Sequence, residues 1–126
     1  MATILIIEDE SVVQDMLTRA LELAGYMVVP FSDAEAALET VDFDKIDLII
    51  TDLAMPMRGE EAIQIIRSSN ITIPIIVLSG FLQPGDEVLL KSMGVNKIFR
   101  KPIHLQEFHN AITELLLSVR SYSRWI

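Results

Sequence analysis

Several short clusters in this sequence carry side chains that could do chemistry, and each closes a strand-like run. Glu8, Asp9 and Glu10 follow Ile4–Ile7, and Thr51 and Asp52 follow Leu48–Ile50. Ser79 and Gly80 follow Ile75–Leu78, and Lys101 and Pro102 follow Lys97–Arg100. If Glu8, Asp9 and Asp52 meet, a pair of like charges at about 4 Å costs roughly 4 kcal/mol at an effective dielectric of about 20. An empty site would raise carboxyl pKa values, and a hard cation removes the conflict. Oxygen donors without His or Cys select Mg2+, with Mn2+ as the substitute. The chain has no cysteine, and His104 and His109, five apart on a helical stretch, share no face. A cation-bound carboxylate, a hydroxyl and an ammonium make a phosphoryl site, because cation and amine neutralise the oxygens of the transferring group. Asp52 is then the nucleophile that forms an acyl phosphate, with Ser79 and Lys101 placed on two of its oxygens.

These groups converge only if the runs before them are parallel strands of one sheet, whose ligands sit beyond the carboxyl ends. The pattern predicts strands over Thr3–Ile7, Tyr26–Val29, Asp47–Thr51, Pro74–Leu78 and Lys97–Arg100. Pro30 is expected to stop the second. Helices are expected over Glu10–Ala24, from a Ser32/Glu35 capping box to about Val41, over Gly59–Ser69, over Pro84–Met93 and over His104–Val119. The first should bury Val12, Val13, Met16, Leu17, Ala20, Leu21 and Ala24, with Gly25 as its terminating glycine. The last should turn Leu105, Phe108, Ile112, Leu115 and Leu116 inward. Strands rich in Ile, Leu and Val without alternation belong to a parallel sheet covered on both faces. The fold class is therefore α/β, a doubly wound five-stranded parallel sheet with helices on both faces.

With 126 residues and half of them hydrophobic, the chain suits one domain, assigned to residues 1–119, with 120–126 as a C-terminal tail. A net charge of −8 disfavours direct nucleic-acid binding, even with the small basic cluster of Lys97, Arg100 and Lys101. No apolar run approaches a membrane span, and no basic leader precedes the first strand, so no membrane association is expected and the expected location is cytoplasmic.

The four clusters, in this order and spacing, resemble the receiver domain of two-component response regulators over about Thr3 to Val119. The matching pieces are Ile-Ile-Glu8-Asp9-Glu, Thr-Asp52-Leu-Ala-Met-Pro56, Leu-Ser79-Gly80 and Arg-Lys101-Pro102. The resemblance implies a flavodoxin-like sheet of strand order 2-1-3-4-5. It implies that Asp52 takes a phosphoryl group from a sensor histidine kinase or histidine phosphotransfer protein, and that a downstream effector protein reads the result. It implies direct Mg2+ ligation by Asp9, Asp52 and the carbonyl of Ala54, with Glu8 acting through water, and a cis peptide before Pro102. It also implies a domain that promotes its own phosphorylation and dephosphorylation without being an enzyme. A homodimer through helix 4, strand 5 and helix 5 is one option.

Three features depart from the family pattern. Ile98 stands at the switch position, where members carry Tyr or Phe, and strand alternation sends Phe99 to the opposite face. The segment from Pro56 to Gly59 is one residue short. Ala54 and Phe81 flank the site where many members are polar, so they offer nothing to orient an attacking water. A long-lived phosphorylated form is expected.

Taken singly, Glu8 and Asp9 also fit a solvated strand end, Ser79 a loop hydroxyl and Lys101 a surface amine. Their coincidence is what favours a site. Met55 and Met57 read as loop packing, His104 and His109 as non-ligands, and Trp125 as a tail packing residue. The competing reading is a pseudo-receiver, a phosphorylation-insensitive interaction scaffold. A metal-dependent phosphatase would need an acid where Ala54 stands. A flavin site would need a hydroxyl-rich loop after the first strand. The chain is either a stand-alone receiver or part of a longer protein.

Overall fold

The computed structural model describes residues 1–53, 59–69 and 71–124, with side chains in the last helix described through Leu117. The strands are β1 (Thr3–Ile7), β2 (Met27–Phe31), β3 (Leu48–Asp52), β4 (Ile75–Ser79) and β5 (Lys97–Arg100). The helices are α1 (Ser11–Leu23), α2 (Ala34–Thr40), α3 (Gly59–Ser68), α4 (Asp86–Ser92) and α5 (Leu105–Arg124), with a 3-10 turn at Phe43–Lys45. All strand pairs are parallel, in the order β2-β1-β3-β4-β5, as expected. The order reverses between β1 and β3, which opens a crevice at their carboxyl ends.

Strand alternation divides the core into two layers. Leu5, Ile7, Ile49 and Val77 face Ala34, Ala37, Ile63, Ile66 and Leu90, the side covered by α2, α3 and α4. Ile4, Ile6, Leu48, Ile50, Ile76 and Leu78 face Leu17, Leu21, Phe108, Ile112 and Leu116, the side covered by α1 and α5. The central strands β3 and β4 are buried along their whole length, while the edge strands β2 and β5 are only partly covered.

Several expected details shift. Leu17 and Leu21 line the inner stripe of α1 with Val13 packed against them, whereas Val12 and Met16, one residue (about 100°) round the helix, are exposed. Ala24 is exposed as the C-cap residue, and Gly25 follows it at φ 97°. β2 continues through Pro30 to Phe31. The Met27 amide donates to the Ala2 carbonyl and the Phe31 carbonyl accepts from the Glu8 amide, so odd-numbered β2 residues face β1. Pro30 thus faces outward, where no strand needs its missing N–H. Asp33, not Ser32, caps α2, accepting from the Glu35 amide at 2.8 Å. α4 begins at Asp86 behind Gly85, whose φ of 91° leaves Pro84 outside the helix. Leu105, at the first position of α5, is exposed. The helix itself runs on to Arg124, past Val119. Trp125 lies outside the described residues.

At the amino ends of β4 and β5, Arg67 ties two loops together. Its guanidinium donates to the carbonyls of Ile71 at 2.7 Å, Ile73 at 2.8 Å and Gly94 at 2.8 Å. Gly94 has φ 94°, and a Cβ there would lie 2.8 Å from Arg67 Nε. Gly94→Ala is therefore expected to lower stability by about 1–3 kcal/mol, read from urea unfolding. An unchanged midpoint would show that the loop relaxes without cost.

Candidate functional site

The carboxyl ends of β1, β3, β4 and β5 bring the chemical side chains together. Glu8, Asp52 and Ser79 are buried despite their polarity. Glu8 is held by its backbone: its amide donates to the Phe31 carbonyl at 2.9 Å, and its carbonyl accepts from Gln14 Nε2 at 3.0 Å. Asp52 ends β3, where the Thr51 hydroxyl donates to its carbonyl at 3.1 Å. The Lys101 amide donates to the Ser79 carbonyl at 2.8 Å, which docks the end of β5 on β4. The Lys101–Pro102 peptide is cis.

Lys101 Nζ is the centre of the site. It lies 2.7 Å from Glu8 Oε1, 2.8 Å from Glu10 Oε1 and 2.8 Å from Asp52 Oδ2. Burial acts to lower the Lys101 pKa, but hydrogen bonds to Asp52 and Glu10, with the ion pair to Glu8, outweigh it and hold the amine above the ordinary lysine range. Burial, followed by the neighbouring Asp52, pushes the Glu8 carboxyl up to about 7, against the lowering effect of Lys101.

Among the described residues, carboxylate oxygens of Glu8, Glu10 and Asp52 lie within 4.8 Å of one another. This all-oxygen set fits a hard divalent cation. Glu8 Oε1 is also buried without a well-aligned hydrogen bond, the ammonium contact being what serves it. Asp9, expected as a direct ligand, is exposed and not part of this set. Ala54 and the shortened stretch before Gly59 lie outside the described residues. Glu10 is the participant that spacing did not single out. The signal was its place as a third acid after β1, with one methylene more reach than Asp.

The Ser79 hydroxyl donates to the Phe81 carbonyl at 2.8 Å and accepts from the Phe81 amide at 3.1 Å, so it is engaged by its own loop. Phe81 is 76% exposed. Ile98 packs with the α2–α3–α4 side of the core, while Phe99 packs on the other side, edge-on to Phe108 with ring centres 5.4 Å apart.

A sequence model of the response regulator receiver domain matches residues 4–113. The chain belongs to that family. This receiver domain is 31% identical over 114 residues to the alkaline phosphatase synthesis transcriptional regulatory protein PhoP of Bacillus subtilis, covering 90% of this chain and 48% of that protein. It is 30% identical over 123 residues to the response regulator receiver protein CpdR of Brucella abortus, covering 94% of this chain and 99% of that one. It thus spans about half the length of the first relative and nearly all of the second. A receiver domain structure from Clostridium thermocellum superposes with a TM-score of 0.89 at 27% identity, covering 97% of this chain and 99% of that one.

The Glu8 shift fixes a pH dependence. Unfolded, Glu8 releases its proton near the ordinary carboxylate value of 4.5; folded, it holds it to about 7. Between those values the unfolded chain binds fewer protons, so stability falls as pH rises. In chelator, the thermal midpoint of the wild type should drop between about pH 5 and pH 8 more than that of Glu8→Gln, the window following from linkage. Equal slopes for the two proteins would contradict the shift.

Proposed function

We propose that this receiver domain is a phospho-accepting signalling switch, loaded on Asp52 from a phosphohistidine with the help of Mg2+. The observation that carries the reading is the Lys101 ammonium 2.8 Å from Asp52 Oδ2 inside a buried acidic pocket. A carboxylate oxygen of Asp52 attacks phosphorus, the phosphorus–nitrogen bond to the donor imidazole breaks, and the imidazole takes up a proton as it leaves. Bound Mg2+ would supply positive charge to the transferring oxygens, with Glu8 and Asp52 of the acidic cluster as proposed holders, and Asp9, though exposed, and the Ala54 carbonyl added on the family resemblance. Lys101 neutralises an oxygen of the same group. Ser79 leaves its turn with Phe81 to donate to another.

The donor is a sensor histidine kinase or a histidine phosphotransfer protein, and the reader is an effector protein. The surface of α4, β5 and α5 is the output face, where exposed Val88 and Leu89 support docking or a homodimer. Direct nucleic-acid contact is disfavoured by the −8 charge. No helix among the described residues is long and apolar enough to cross a membrane, and a cytoplasmic site of action suits a partner of this kind. A pseudo-receiver is the second reading, motivated by Ile98 at the switch position.

Incubation with acetyl phosphate and Mg2+ tests the first reading. Intact mass should rise by one phosphoryl group in the wild type and not in Asp52→Asn. No gain in the wild type would favour the scaffold. The apolar Phe81 beside the site adds a kinetic expectation. The acyl phosphate should outlast minutes in a decay assay, and a half-life of seconds would refute the claim that no side chain orients water there.

A further inference from the structure

An ammonium has three N–H donors, and in this structure three carboxylates surround Lys101 Nζ. A phosphoryl group arriving on Asp52 needs one of those donors, so one carboxylate must give way. The three are not equivalent. The side chains of Glu8 and Asp52 are 0% and 3% exposed, and that of Glu10 is 60% exposed. Asp52 carries the incoming group itself, and releasing Glu8 would strand a charge away from water, whereas Glu10 can swing out and be hydrated. Its side chain also makes no capping hydrogen bond to α1, so no helix contact opposes the movement.

We propose that Glu10 is a positioning residue that holds the place of the phosphoryl group, occupying the Lys101 donor that a phosphoryl oxygen takes on loading. The proposal rests on the phospho-acceptor reading above and adds to it a residue that competes with the phosphate. In the unloaded state Glu10 keeps Lys101 aimed into the pocket. In the loaded state it leaves, and the free energy of its lost contact is subtracted from phosphoryl binding. A phosphoryl oxygen and Glu10 Oε1 are therefore exclusive occupants of one hydrogen-bonding position.

The test is calorimetric titration of the intact chain with Mg2+ alone, and then with fluoroberyllate at saturating Mg2+, as a stable stand-in for the aspartyl phosphate. Glu10→Gln weakens the competitor while keeping its shape. Glu10→Asp keeps the charge, but its carboxylate is shorter and suited to capping α1. Both variants should bind fluoroberyllate about two- to five-fold tighter than the wild type, the range of a partly exposed ion pair. Neither should bind Mg2+ alone more tightly. A structural defect would weaken both ligands, so the split between them reads out competition. Unchanged or weaker fluoroberyllate binding in Glu10→Gln overturns the proposal, as it would if Glu10 were a cation ligand. A Glu10→Asp protein that matches the wild type also overturns it, because the effect would then come from net charge. If the wild type binds no fluoroberyllate at all, the phospho-acceptor reading fails and this inference goes with it; wild-type binding without a variant effect sinks the inference alone.

Discussion

An ammonium enclosed by carboxylates is the constraint on which this structure turns. Without Lys101, Glu8 and Asp52 would face each other as buried like charges, and burial, reinforced by Asp52, already raises the pKa of Glu8. Buried ion pairs seldom add stability over an apolar replacement, since desolvation consumes the Coulombic gain. The reason to keep such a cluster is chemical. On the proposed reading, it stores negative charge for a cation and a positive charge for a phosphoryl oxygen, both in a pocket with little water to screen them.

Holding that cluster requires a rigid frame, and the frame is the parallel sheet. β3 and β4 are buried from end to end, so the positions of Asp52 and Ser79 are set by packing on both faces. The peptide groups do the rest. The Lys101 amide on the Ser79 carbonyl and the Glu8 amide on the Phe31 carbonyl extend the ladder just beyond the strands, bringing the reactive side chains to one rim. Arg67 performs a comparable task at the opposite end by gathering three loop carbonyls.

The architecture was legible in the sequence because continuous apolar runs, bounded by polar clusters, specify buried parallel strands strongly. What was not legible has local causes. Val12 and Met16 are apolar, yet a helix resting on a sheet buries only a narrow stripe, and hydropathy does not say which edge of a wide stripe is left out. Pro30 reads as a strand breaker until the strand is known to lie at an edge with that residue facing outward. Ser32 and Asp33 are both competent caps, and choosing between them depends on backbone angles. At the site, the acids and the lysine were evident from position alone. Which of three consecutive acids reach Lys101 was not, because it depends on the path of the chain between β1 and α1: Glu8 and Glu10 join it, and Asp9 faces solvent.

The outward-facing proline of β2 bears on how the molecule meets its surroundings. Another polypeptide could extend a sheet by pairing along an open border, but it would find no amide hydrogen at Pro30 and so no continuous ladder. The far border carries Lys97, drawn toward Glu114 at 3.6 Å, and the exposed Arg100, charges that discourage the same kind of pairing. Recruitment by strand addition is thus discouraged along both margins. That leaves helices and loops to engage other macromolecules, and these are the parts of the molecule that can shift without unzipping the sheet beneath them.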